Sequence, residues 1–248
     1  MKTLAFYNLK GGVGKTTAAV NLAYLAAQEG NRTLLWDLDA QGAATFHFHS
    51  TPARKVHPKQ LHKEKKQIAR LIKSTEYPNL EIIPANFKIR HIDVALKNVK
   101  KGTRVLSIVI QKLALQYDYL FFDCPATISL LAQSVFRTAD YLVMPLIPTT
   151  LSLQTFKRIQ NYHAKHFRAK PQIIPFFSMV DQRKSLHRDI VTQNSAEGLF
   201  CKTFIPTRSI IEQMGVHRMP LPSFSPDSPA TEEYQALWKE IKQRILGA

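Results

Sequence analysis

Residues 3–23, "TLAFYNLKGGVGKTTAAVNLA", constrain the fold more than any other stretch. An apolar run, "TLAFYN" (3–8), passes through Gly11, Gly12 and Gly14 into an alanine-rich periodic segment. The run reads as a strand buried on both faces, and 15–29 as a helix closed by Gly30. Strand, tight turn and helix make the first half of a βαβ unit, and the rest of the chain repeats the alternation. "RTLLWD" (32–37), "LEIIPA" (80–85), "YDYLFFD" (117–123), "DYLVMPL" (140–146) and "QIIPFFSMV" (172–180) are further strands, with "CKTFIP" (201–206) a candidate seventh. Helices are expected near 64–74, 102–116, 128–138, 151–166, 184–195 and 230–246. Such alternation implies right-handed crossovers and a mostly parallel, twisted sheet of about seven or eight strands with helices on both faces, an α/β fold. At 248 residues and 45% hydrophobic, the chain suits one such domain over 1–248. The proline-rich "MPLPSFSPDSP" (219–229) is expected to be an extended surface loop.

A glycine loop between a strand and a helix is the setting of a phosphate site. Backbone N–H groups of Gly11, Gly12, Val13, Gly14, Lys15, Thr16 and Thr17 can converge on phosphates, helped by the partial positive charge of the helix N-terminus. Lys15 would reach the β- and γ-phosphates of ATP, and the Thr16 hydroxyl would ligate Mg²⁺. Asp123 ends an apolar strand on the same side of the sheet and would hold the metal through a water, given magnesium's reluctance to shed its hydration. Asp37 and Asp39, in "LLWDLDAQGAAT", close the second strand on that side too. Asp37 is the candidate to orient or deprotonate the attacking water. Asp39 would assist at the metal or fix the loop.

The charge is unusual for an enzyme of small substrates. Lys and Arg total 34 against 18 Asp and Glu, a net +16, which points to a polyanionic partner or a strongly solvated surface. Residues 54–73, "RKVHPKQLHKEKKQIARLIK", hold eight Lys or Arg and one acid, Glu64. The two cysteines, Cys124 and Cys201, have neither metal nor disulfide spacing, which fits a reducing, cytosolic setting. No signal peptide and no apolar run of about 18 residues is apparent, so a soluble protein is expected.

Lys10, five residues before Lys15, has no part in this account of the loop. Three segments together explain it: "KGGVGKTT" (10–17), "DLDAQGAAT" (37–45) and "FFDCPAT" (121–127). Their order and spacing resemble the ParA/MinD family of P-loop ATPases. The likeness continues through "PLIPTTLSLQTFKRI" (145–159), "FFSMVDQRKSLHRDIV" (176–191) and "TFIPTRSIIEQM" (203–214), nearly the whole chain. The resemblance implies that Lys10 acts in trans, touching the partner's phosphates in an ATP-sandwich homodimer. It also implies that Met179 and Pro206 flank adenine with Asp181 nearby, and that an adaptor protein stimulates hydrolysis and links the ATPase to cargo. Ala40 and Ala126 stand where the family usually has proline.

The family divides by what its members bind. ParA-type members bind nonspecific DNA and position plasmids, chromosomes or protein assemblies; MinD-type members bind membranes through a C-terminal amphipathic helix. In "EEYQALWKEIKQRILGA", Tyr234, Leu237, Trp238, Ile241 and Ile245 share one face. The expectation is core packing rather than a membrane role. The reading is therefore of ParA type, cytoplasmic and nucleoid-associated, with +16 as a DNA footprint. Candidate DNA contacts are Lys63, Lys65, Lys66 and Arg70, the group Arg183, Lys184 and Arg188, and Lys239, Lys242 and Arg244 on the last helix. The alternatives are a MinD-like membrane cycle and a metabolic P-loop ligase or reductase component.

Overall fold

The computed structural model describes residues 1–51, 69–85, 105–167 and 171–247. Eight strands form one sheet: β1 (Lys2–Phe6), β2 (Thr33–Asp37), β3 (Lys73–Ser74), β4 (Leu80–Ile83), β5 (Tyr119–Asp123), β6 (Tyr141–Leu146), β7 (Gln172–Val180) and β8 (Ile205–Pro206). Their order is β3-β4-β2-β5-β1-β6-β7-β8, parallel throughout except for the antiparallel edge strand β3. The eighth strand is this short edge piece. It occupies the end of the stretch expected to be a helix at 64–74, a correction: Lys73 and Ser74 pair with Ile82 and Glu81 across a turn at 75–79. The rest of that expected helix, up to residue 68, lies outside the described residues.

Among the described residues the helices are α1 (Lys15–Gln28), α2 (Ala43–His47), α3 (Val105–Leu113), α4 (Leu130–Thr138), α5 (Thr150–His166), α6 (Ser185–Ala196), α7 (Ser209–Glu212), α8 (Met214–His217), α9 (Leu221–Phe224) and α10 (Pro229–Leu246). Strand parity divides the core into two layers. Leu4, Phe6, Leu35, Phe121, Val143 and Phe176 face α1 and α10, while Ala5, Trp36, Leu120, Phe122, Leu142 and Phe177 face α3, α4, α5 and α6. Gly30, at φ 86°, ends α1 in the left-handed region as expected.

The proline-rich segment is not an extended surface loop. It contains the short α9, with Leu221 and Pro222 buried, and the Leu221 N–H donates to Asn21 Oδ1 of α1 at 2.8 Å. Proline fits the first turn of a helix, so prolines there start a turn instead of preventing one.

The apolar face of α10 is packed on the sheet. Tyr234, Leu237, Trp238, Ile241 and Ile245 are all buried. Trp238 stands edge-on to Tyr119 with ring centroids 5.4 Å apart, and its indole N–H donates to Glu29 of α1.

Candidate functional site

The three central strands deliver their last residues side by side. Register pairs Phe6 with Asp123 and Asp37 with Asp123. Two residues earlier in each strand, Leu35 and Phe121 face the α1 layer, so Asp37 and Asp123 project to the same side as the start of α1. Between β1 and α1 the chain turns through Gly12 (φ 68°) and Gly14 (φ 85°), left-handed positions that disfavour a side chain. α1 begins with no side-chain cap and no acid in its first turn. Its N–H groups are therefore left for an anion.

Two side chains fix this loop from outside. Asn8 Nδ2 donates to the Pro145 carbonyl at 2.8 Å, and its Oδ1 accepts from the Lys10 N–H at 3.0 Å. Ser178, at the end of β7, donates from Oγ to the Val13 carbonyl at 2.7 Å. The buried Lys15 ammonium donates to the Lys10 carbonyl at 3.1 Å. Burial lowers its pKa, while Asp123 and Asp39 oppose the shift. Lys10 itself is exposed on the turn.

The two strand-end carboxylates have opposite circumstances. Asp37 is fully buried and saturated: Oδ1 accepts from the Asp39 N–H at 3.1 Å, and Oδ2 from the Thr45 N–H and hydroxyl at 2.8 and 2.7 Å. Thr45 Oγ1 in turn accepts from the Ala85 N–H at 2.7 Å, so Asp37, Thr45 and the end of β4 form one relay. Burial pushes the Asp37 pKa up to about 6 despite these donors. Asp123 is equally buried, yet neither carboxylate oxygen has a hydrogen-bond partner. Burial and the neighbouring Asp37 raise its pKa well above the ordinary value, with Thr16 and Lys15 pulling the other way. A buried carboxylate without donors is costly unless something else neutralises it. Asp123 and the Thr16 hydroxyl fit a hydrated Mg²⁺, which takes one or two protein oxygens and completes its shell with water and phosphate. Among the described residues no three His, Cys, Asp or Glu side chains converge as an all-protein cage.

Asp39 is partly exposed, and its Oδ1 accepts from the Gln41 N–H at 2.9 Å. Asp39, expected to assist at the metal or fix the loop, is thus the freer of the two acids, and Asp37, expected to orient the attacking water, the more tightly held.

A cavity of about 230 Å³ opens beside the loop, lined on one side by Gly12, Gly14 and Thr17 and on the other by Met179, Pro206, Arg208, Ile211 and Glu212. Met179 reaches it through a bulge: its φ is 54°, and the β7–β8 register shifts between Ser178 and Val180. Left-handed backbone at a non-glycine residue is strained, and bulges re-aim side chains. Asp181 does not line this cavity. Its carboxylate is taken by Arg183, with Nε at 2.9 Å and Nη2 at 3.0 Å, which holds its pKa down at about 2.

Residue type alone gives no sign of Asn8, Thr45 or Arg208. Ser178 also goes unmarked, although a polar residue interrupting the apolar "FFSMV" is the signal that could have found it.

The basic candidates differ in their surroundings. Lys63, Lys65 and Lys66 lie outside the described residues. Arg70, Lys184, Arg188 and Lys239 are exposed, though Lys184 lies 4.0 Å from the Asp181 carboxylate and Arg188 donates to the Gln182 carbonyl at 2.7 Å. Arg183 is exposed but paired with Asp181. Lys242 pairs with Glu29 across to α1, and Arg244 donates to the Leu199 and Phe200 carbonyls and to Glu240. These last two brace α10 against its neighbours.

A family model described as an AAA domain matches residues 1–173. The chromosome-partitioning ATPase Soj of Treponema pallidum is 30% identical over 253 residues, covering 98% of each chain. A plasmid partition protein of Borrelia burgdorferi, solved with AMPPNP, superposes with a TM-score of 0.83 at 19% identity over 98% of each chain. Cobyrinic acid a,c-diamide synthase of Mycobacterium smegmatis, solved with ADP and magnesium, gives 0.78 at 21% identity, over 99% of this chain and 95% of that one. The last two show the fold. The sequence relative spans the whole chain and the family model most of it, so the chain belongs to the ParA/MinD family of P-loop ATPases.

Proposed function

We propose that this chain is a Mg²⁺-dependent ATPase that dimerises around ATP, binds DNA without sequence preference, and positions a plasmid, chromosome or large protein assembly through an adaptor. One observation carries the nucleotide reading: the buried Asp123 carboxylate, without a partner, stands beside Lys15 and the uncapped start of α1. Mg²⁺ bound there would neutralise phosphate charge during transfer. Lys15 and the loop N–H groups hold the phosphates. The cavity bounded by Met179 and Pro206 takes the base. Asp39, the freer acid, takes the attacking water in place of Asp37, the residue expected from the sequence, and Asp37 anchors the loop that presents it. The exposed Lys10 is free to cross to a partner subunit and offset the charge of two facing nucleotides.

Net charge supports the DNA reading, with Arg70, Lys184, Arg188 and Lys239 as its exposed contacts. The membrane alternative requires the apolar face of α10, which the core already covers. No helix among the described residues is long and apolar enough to cross a membrane. The metabolic alternative shares the fold, but the Treponema relative matched along the whole chain is a partitioning ATPase.

The test is binding to random-sequence duplex DNA with ATP, with ADP and without nucleotide, across a salt series, with anionic vesicles in parallel. Binding is expected with ATP, and its logarithm should fall linearly with the logarithm of salt concentration. Vesicle binding with no DNA binding in any nucleotide state would overturn this reading in favour of the membrane cycle.

A further inference from the structure

The loop that carries Asp37 and Asp39 runs into α2, and α2 is gripped by a distant part of the chain. His47 Nδ1 lies 3.1 Å from the Met214 carbonyl; a carbonyl only accepts, so the ring nitrogen donates. In return Arg218 Nε donates to the Phe46 carbonyl at 3.2 Å, and its guanidinium sits 4.4 Å from the centre of the Phe46 ring. Each side thus contributes one side chain to a backbone carbonyl of the other, and the cation adds a stacking contact. Arg218 makes its contacts from a left-handed backbone, φ 55°.

The gripping segment is also a wall of the base cavity. Ile211 and Glu212 line that cavity, and Met214 follows two residues later. The segment is thinly packed: α7 has no buried residue, and α8 has only Met214. Segments with few buried contacts open at low cost and respond to whatever fills the space beside them. On the other side of the grip, Thr45 of α2 holds both Asp37 and the end of β4.

We propose that Arg218 and His47 are positioning residues that make the placement of the Asp37–Asp39 loop depend on whether the base cavity is filled. A base pressing on Ile211 and Glu212 steadies α7 and α8. Through Met214 and Arg218 that order passes to Phe46 and His47, and through Thr45 to the carboxylates. The inference rests on the reading of the cavity as the base site.

Hydrogen exchange with adenosine as the probe tests it, because adenosine fills a base site without touching the phosphate loop through phosphates. The variants are Arg218→Gly, at a φ that glycine adopts freely, and His47→Ala, separately and together; the double variant removes both hydrogen bonds of the grip and the cation over Phe46. In the unaltered chain adenosine should slow exchange severalfold both in 209–214 and in 43–48. In the double variant the slowing should persist in 209–214 and be lost in 43–48, each single variant should lose part of it, and Arg218→Lys should lose less than Arg218→Gly. Slowing at 43–48 that survives in the double variant, or that is absent in the unaltered chain while 209–214 responds, would overturn the inference alone. No response in either segment of the unaltered chain would overturn the base-site reading and the inference with it.

Discussion

Thr45 shows how much of the site hangs on a side chain that names no chemistry. Its hydroxyl donates to a fully buried carboxylate and accepts from the Ala85 N–H forty residues away. Thr45→Val keeps the shape and removes both bonds, leaving a buried amide unpaired and Asp37 one donor short. Such a loss costs about 1–3 kcal/mol, to be read from urea unfolding of the nucleotide-free protein, and ATP turnover should fall as the loop loosens. Unchanged stability would mean that the relay does not hold the loop. The contrast with the other site residues is physical. Gly12 and Gly14 are dictated by left-handed backbone, and Lys15 and Asp123 by charge beside phosphate and metal, so their types and spacing were legible in the sequence. Thr45, Asn8 and Ser178 act through hydroxyl and amide groups that occur in any loop, on partners 40, 137 and 165 positions away. Asp181 is harder to read, because proximity in sequence to Met179 says nothing about Arg183, which takes its carboxylate.

The elements that were legible are those with enough residues to show a period. The long strands and helices fell near their expected places because continuous apolar runs and 3.6-residue spacing need several turns or pairs to register. The helices α2, α7, α8 and α9 span little more than one turn, too short for a 3.6-residue period, and β3 has two residues. They are held by contacts from elsewhere, so no local pattern announces them. α2 makes a testable case. Burial holds the His47 pKa below its usual value, opposed by the Met214 carbonyl and aided to a lesser degree by the nearby Arg218. The folded state therefore keeps His47 neutral at pH values where the unfolded chain binds a proton. The stability that this group contributes is full above the ordinary histidine pKa of about 6.5 and is lost as pH falls through the lower folded value. His47→Gln retains an N–H donor and cannot titrate. Between pH 7.5 and 5.5 the urea midpoint of the unaltered protein should fall more than that of the variant. Parallel declines would place the titrating group elsewhere.

For the molecule as a whole, the last helix decides between a surface device and a part of the core. Its sequence favours the core without deciding it, because a stripe that lies on lipid and one that packs on a sheet share the same spacing. The structure closes α10 over α1 and the central strands, the same elements that form the phosphate loop and present Asp123. Trp238 is 2% exposed, meets Tyr119 edge-on and Phe121 at a tilt, and bonds Glu29, while Lys242 pairs with that same carboxylate. Removing the indole leaves a large void between helix and sheet. Trp238→Ala should cost about 3–5 kcal/mol, a large part of the roughly 5–15 kcal/mol that holds a domain folded. If residues 1–248 form one cooperative unit, the loss appears as a lower midpoint of a single transition. Far-ultraviolet circular dichroism and the fluorescence of Trp36, in β2 beside Asp37, should report it together. ATP affinity should fall at temperatures where that transition has begun and recover on cooling. A helix held in reserve for a membrane would behave differently: Trp238→Ala would leave the midpoint and ATP binding untouched and abolish only vesicle binding. Thermal unfolding followed by both probes, with vesicle sedimentation on the same samples, separates the two.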